Sequence, residues 1–360
     1  MTASERLYLD HAAITPVIPQ AREAVARMFG LPGNPSSPHA DGRRARAALE
    51  DSRHRVAEAL GWRHDVVFTS GGTEAIRIAA DRVTLSRRVL GATEHEAVIA
   101  AMGPDAITVP VQPNGLIDLS LLEQALGNGP ALVAVQLVNN ETGVIQPLDK
   151  IGELVRRTGS LLLADCAQAA GKIALVEADF VAITSQKFGG PVGVGALLVK
   201  DLGTLEAIGG QERGYRRGTE NLPGISGMAE ALASQVFAQA MPRLKDLRQQ
   251  LEQELIAAGG IVIADETPRI PTIGAYAMPG TTSSSQLVQL DLAGISVSAG
   301  SACSSGSMKA SRVLSAMSIS PAIAESVIRV SFGPDTSETD VERFLSEWRQ
   351  IKSRTKAEAA

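Results

Sequence analysis

Between Asp65 and Lys200 the chain alternates short apolar runs rich in Val, Ile and Leu with amphipathic stretches, and this alternation restricts the fold more than any other feature. Strands buried on both faces read as continuous apolar runs, and parallel neighbours need crossover helices between them. Residues 66–69, 89–92, 107–111, 132–138, 161–164, 180–184 and 195–199 are the strand candidates. They predict an α/β protein built on a large, mainly parallel seven-stranded sheet with helices on both faces. From 225 to 258 the pattern turns helical, with a break expected at Pro242 and an end at Gly259-Gly260. Beyond it come strand candidates at 261–264, 273–277 and 327–332, and helices at 284–292, from near Ser311, and from 337 to about 352.

A chain of 360 residues exceeds one compact core of usual size. The expected division is a large domain over 15–250 and a smaller α/β domain formed by 251–360 with the N-terminal segment 1–14. A formal net charge of −5 gives no electrostatic reason to expect nucleic acid or an anionic membrane as partner. Two cysteines 137 positions apart form neither a disulfide framework nor a zinc spacing. No apolar run approaches a membrane span and the N-terminus lacks a signal-peptide core, so a cytoplasmic location is expected.

Five places carry chemistry. Thr69-Ser70-Gly71-Gly72-Thr73-Glu74 passes from a strand end through two glycines into a helix, where backbone N–H groups can cradle a phosphate; it reads equally as a plain turn capped by Thr73. His95 follows the second strand candidate and can stack on a planar cofactor, move a proton, or simply cap a helix. Asp165 ends an apolar strand, where burial demands a cation or several donors. A protonated pyridine nitrogen would serve, as would a basic side chain. Lys187 lies 22 residues later at the end of the next strand candidate, so both would face one crevice at the carboxyl edge of the sheet. Read alone, Lys187 is a solvated loop lysine. Acid, lysine and Gly-Gly-Thr loop together supply pyridinium partner, Schiff-base amine and phosphate cradle, as a pyridoxal 5'-phosphate site requires. Cys303, in Gly300-Ser301-Ala302-Cys303-Ser304-Ser305-Gly306, is a thiol on a small-residue loop that could reach a substrate. No strand runs into Gly-x-Gly-x-x-Gly before a helix, which argues against a dinucleotide enzyme.

These motifs occur with Tyr8-Leu9-Asp10-His11-Ala12-Ala13, Asn34-Pro35-Ser36-Ser37-Pro38-His39, Asn139-Asn140-Glu141-Thr142-Gly143 and Arg216-Arg217-Gly218-Thr219-Glu220-Asn221. The series resembles the cysteine desulfurase family, class-V aminotransferases of pyridoxal phosphate fold type I, from about Leu7 to about Phe332. The resemblance implies that Lys187 holds the cofactor, His95 stacks on its ring, Asp165 pairs with its nitrogen and Gln168 hydrogen-bonds its phenolic oxygen. It implies phosphate contacts from Gly72, Thr73, Thr184 and Gln186, and from Thr219 of a neighbouring subunit, hence a homodimer. Asn140 and Arg329 match the pair that holds the carboxylate of L-cysteine, and Cys303 the nucleophile that accepts sulfur as a persulfide. A sulfur-acceptor protein, an iron–sulfur scaffold or sulfur carrier, follows from the same resemblance. Three positions depart from the pattern: Gln186 stands for a phosphate-binding histidine, Val192 for a common lysine, and His11 for asparagine. A selenocysteine lyase, another class-V aminotransferase and a weakened sulfur-relay homologue are the alternatives.

Overall fold

The computed structural model describes residues 6–300 and 311–358. The chain enters through the short strand β1 (Leu7–Tyr8) and helices α1 (Pro19–Phe29) and α2 (Ala40–Ala59). Strands β2 (Asp65–Thr69), β3 (Arg88–Gly91), β4 (Ile107–Val109), β5 (Leu132–Gln136), β6 (Leu161–Asp165), β7 (Phe180–Thr184) and β8 (Gly195–Val199) follow. Between them lie α3 (Gly72–Arg82), α4 (Glu96–Met102), α5 (Leu119–Leu126) and α6 (Leu148–Arg157). All seven expected strands form one sheet of order β2-β8-β7-β6-β5-β3-β4. Its two faces explain the apolar runs: Val133 and Val135 of β5 join the cluster covered by α1, α2, α5 and α6, while Leu132 and Ala134 join the one covered by α3 and α4.

β8 alone runs against the direction of the other strands of this sheet, pairing antiparallel with both β2 and β7. The ten residues 185–194 between β7 and β8 are too few for a crossover helix, so the chain must turn straight back. Three positive-φ or crowded glycines make that return: Gly189 at φ +86, Gly193 at φ +77, and Gly190, where a Cβ would lie 2.0 Å from Ser185 Oγ. Lys187 sits at the start of this tight connection, in a 3₁₀ turn over Ser185–Lys187.

Helices α7 (Leu222–Ala233) and α8 (Val236–Ala257) carry the chain out of the sheet. The break expected at Pro242 is not there. It falls at Gln235, which adopts φ +52, while α8 continues through Pro242 at the loss of one i→i−4 hydrogen bond. The chain then forms β9 (Ile261–Val262), β10 (Ile273–Ala277), α9 (Ser283–Leu292), β11 (Ile295–Ser296), α10 (Arg312–Ala316), α11 (Pro321–Ala324), β12 (Val327–Ser331) and α12 (Glu338–Glu358). The last helix extends beyond its expected end near 352. A small antiparallel sheet β12-β10-β9 packs in a separate core around Trp348, Phe344 and Tyr276. That core includes Leu7 and Leu9 of the N-terminal segment and Leu244, Leu247, Leu251 and Leu255 of α8, so the division expected at residue 250 falls inside one helix. β1 pairs in parallel with β11, and Asp10 bridges to Ser331.

Candidate active site

The carboxyl edge of the large sheet and the N-terminal segment face each other across the candidate site. Asp165 ends β6 with its side chain buried. Its Oδ1 accepts from Ala167 N–H at 3.0 Å, and among the ion pairs of the described residues it has none. Burial raises its pKa, opposed by the Ala167 hydrogen bond and by the charges of His95 and Lys187. This is a carboxylate in need of a cation.

Lys187 Nζ donates to the carbonyls of Ala12 at 2.9 Å and Ala13 at 2.6 Å. Burial and the neighbouring Arg329 lower its pKa to about 8, against the opposing pull of Asp10 and Asp165. Gln168 Nε2 donates to the same Ala12 carbonyl at 2.8 Å. His95 is exposed and is the N-cap of α4, its Nδ1 accepting from Ala97 N–H at 3.1 Å. With Nδ1 an acceptor, the neutral ring carries its proton on Nε2. Capping thus engages one ring nitrogen, whereas the expected stacking would use the face of the ring.

A second group gathers where α3 starts. Gly71 takes φ +154, a conformation other residues avoid; no side chain caps the helix behind it, so its first N–H groups are open to an anion. A Cβ on Gly72 would lie 3.4 Å from Thr184 Cβ, and Thr184 Oγ1 donates to Gln186 Oε1 at 2.6 Å. Gly72, Thr73, Thr184 and Gln186 therefore share one end of the sheet. Thr219 stands apart, exposed on the loop before α7, although Arg216 of that loop pairs with Glu74 of α3 at 3.2 Å.

The third group surrounds Arg329 of β12. Its Nη2 pairs with Asp10 Oδ1 at 2.8 Å and its Nη1 donates to the Asn140 carbonyl at 3.0 Å. Asp10 Oδ2 accepts from Ser298 Oγ at 3.1 Å. Asp10 and the carbonyls of Ala12 and Ala13 were not singled out as site residues in the sequence. The signal for Asp10 was an acid directly after the apolar Leu7-Tyr8-Leu9; the carbonyls left none. Cys303 lies outside the described residues.

The family model for class-V aminotransferases matches residues 7–344. The chain is 36% identical over 365 residues to a cysteine desulfurase of Cereibacter sphaeroides, covering 95% of this chain and 94% of that protein. The chain belongs to the cysteine desulfurase family of class-V aminotransferases. Its fold matches a NifS-like protein from Rickettsia africae with a TM-score of 0.88 at 29% identity, over 96% of this chain and 99% of the other. It also matches SspA in complex with cysteine, with a TM-score of 0.77 at 26% identity over 92% and 100% of the two chains.

The family depends on pyridoxal phosphate, and the edge of the sheet fits that group. Among the described residues Asp165 is a buried acid without a counter-ion, which a protonated ring nitrogen would supply. The Gly71-Gly72 turn leads into an uncapped helix, which suits a phosphate. Lys187 is an amine that burial brings toward neutrality.

Proposed function

We propose that this chain is a cysteine desulfurase that converts L-cysteine to L-alanine and takes the sulfur onto Cys303 as a persulfide. The observation that carries this reading is the Lys187 amine, lowered to about pKa 8 and set close enough to the buried Asp165 and to Arg329 for their charges to act on it. When bound, pyridoxal phosphate supplies an electron sink for charge developing at the amino acid's Cα.

Lys187 would hold the cofactor covalently, with Asp165 on its ring nitrogen, His95 against its ring and Gln168 on its phenolic oxygen. Gly72, Thr73, Thr184 and Gln186 would hold its phosphate, joined by Thr219 from the second subunit of a homodimer. Arg329, with Asn140 beside it, receives the substrate carboxylate, which competes with Asp10 for the same guanidinium. An amine titrating near 8 can both give and take a proton at neutral pH, so Nζ of Lys187 is suited to remove the Cα proton. The Cys303 thiolate attacks the substrate sulfur. An S–S bond forms, the substrate's Cβ–S bond breaks, and its electron pair passes to Cβ, which is protonated to the methyl of alanine, while the proton taken from Cα is returned there.

The same reading places the protein in the cytoplasm, hands the persulfide sulfur to an acceptor protein of iron–sulfur cluster or thio-cofactor assembly, and divides the chain into 15–250 and 1–14 with 251–360. The test is release of alanine and sulfide from L-cysteine by cofactor-loaded protein under a thiol reductant. Equal yields are expected. Cys303→Ala keeps the visible cofactor band and loses turnover; Lys187→Ala loses the band itself. Full turnover by Cys303→Ala, or an unchanged spectrum in Lys187→Ala, removes the corresponding assignment.

A further inference from the structure

Lys172 is a buried cation that the mechanism above does not use. It lies one turn beyond β6 and is 4% exposed, its N–H bonded to the Ala169 carbonyl. The turn is pressed into the core: a Cβ on the preceding Gly171, at φ +71, would lie 3.2 Å from Leu232 and 3.4 Å from Phe188. Nζ of Lys172 has Gln168 Oε1 at 3.4 Å and the centroid of the Phe237 ring at 5.1 Å. Among the ion pairs of the described residues none includes Lys172. Burial, and then the charge of Lys187, lowers its pKa to about 7. A buried ammonium without a carboxylate destabilises a fold, and an apolar side chain of the same shape would pack over Phe237 without that penalty. The position calls for another reason to hold a lysine.

The reason lies in Gln168. A primary amide has one acceptor oxygen and two N–H donors. Lys172 approaches the oxygen, while the nitrogen donates at 2.8 Å to the Ala12 carbonyl, which also receives Lys187 Nζ at 2.9 Å. Turning over would cost the amide the hydrogen bond that Lys172 Nζ donates to its oxygen. Only donors then point toward the Ala12–Lys187 side, and the second N–H is free for an acceptor there. The charge of Lys172 also reaches this side of the site, since it acts with burial to hold His11 down at about 4.

We propose that Lys172 is a positioning residue for the desulfurase reaction, locking the Gln168 amide so that it presents donors, and never its carbonyl, to the cofactor's ring oxygen. This inference rests on the function proposed above. A lysine-free site would let the amide flip, setting carbonyl oxygen against ring oxygen and releasing the Ala12 carbonyl that steadies Lys187.

The test compares wild type, Lys172→Met, Gln168→Ala and the double variant as cofactor-loaded proteins, reading the visible band and its pH midpoint, kcat and KM for L-cysteine, and Tm. Lys172→Met is expected to keep or raise Tm, to displace the midpoint by about one pH unit, and to lower kcat about tenfold with KM within about twofold. In the Gln168→Ala background the same substitution should change neither band nor kcat. A wild-type band and kcat in Lys172→Met overturn the inference alone and leave Lys172 a core side chain. An undiminished effect in the Gln168→Ala background also overturns it, since Lys172 then acts elsewhere. Should Lys172→Met not fold, Lys172→Gln is read by the same criteria. Wild-type protein that takes up no cofactor and shows no band would overturn the proposed function, and this inference with it.

Discussion

Two carboxylates in this protein, the half-buried Glu252 and the buried Asp165, are treated in opposite ways. Glu252, in the smaller core, is saturated: Oε1 takes Arg248 Nε at 2.7 Å, Arg269 Nη1 at 2.8 Å and the Tyr276 hydroxyl at 3.3 Å, and Oε2 takes Arg269 Nη2 at 2.9 Å. Burial would raise its pKa, but the two guanidiniums outweigh that and hold it low. Asp165, at the edge of the large sheet, has a backbone N–H and no paired cation among the described residues, and burial wins. The same imbalance recurs around it in Lys172 and Lys187, both cations pulled toward neutrality. The Glu252 carboxylate is matched by two guanidiniums, whereas Asp165 at the sheet edge is left with capacity for a ligand.

The largest expected effects come from neutralising each acid. Asp165→Asn should lower turnover about 100- to 1000-fold while leaving Tm unchanged or higher, because an unpaired buried charge is removed. Glu252→Gln should do the reverse, losing about 3 kcal/mol of stability with kcat per folded holoenzyme unchanged. Urea unfolding and steady-state kinetics on both variants would break the contrast if either lost activity and stability together.

A smaller effect is tied to pH. In the cofactor-free protein Lys172 releases its proton near pH 7, against 10.5 for an ordinary lysine. Between those values the unfolded chain binds the proton and the folded chain does not, so this residue's contribution to stability rises with pH across the window. Below about pH 7 both states are protonated and the contribution is constant. The stability of Lys172→Met relative to wild type should therefore be greatest at and below pH 7 and decline by a few kcal/mol toward pH 10. A gap independent of pH would place the charge in solvent.

The smallest effect concerns Gln186, which accepts from Thr184 Oγ1. Gln186→His adds an ionisable donor where the family carries one, and should tighten cofactor binding by less than about tenfold, measured by dialysis and the visible band. Weaker binding would mean that the glutamine is fitted to Thr184 rather than to phosphate.

Much of this was legible in the sequence because burial on two faces leaves a strong mark. Each strand of the large sheet is an apolar run, and Asp165 and Lys187 stand out because they end such runs. Gln235 could not be foreseen as a break, since glutamine carries no preference for a positive φ, while Pro242 signals a break that one lost hydrogen bond does not force. The Lys187 clamp was hidden for another reason. Its acceptors are backbone carbonyls 174 and 175 residues away, and any residue type supplies a carbonyl. The Asp10–Arg329 pair spans 319 residues, a distance over which pattern says nothing.

That span also sets an order of assembly. Leu7 and Leu9 take their backbone partners from Gly294 and Ser296, and Ser331 in turn donates to the Leu9 carbonyl. On the ribosome, where domains form as they emerge at about 5–20 residues per second, the first strand has no neighbour to bind until nearly the whole chain has been made. The large sheet can close early, yet the carbonyls that seat Lys187 wait for residues at the far end of the message. A nascent chain thus completes the seat of the Lys187 amine only when its last strands arrive, and a chain released early lacks the strands that position it.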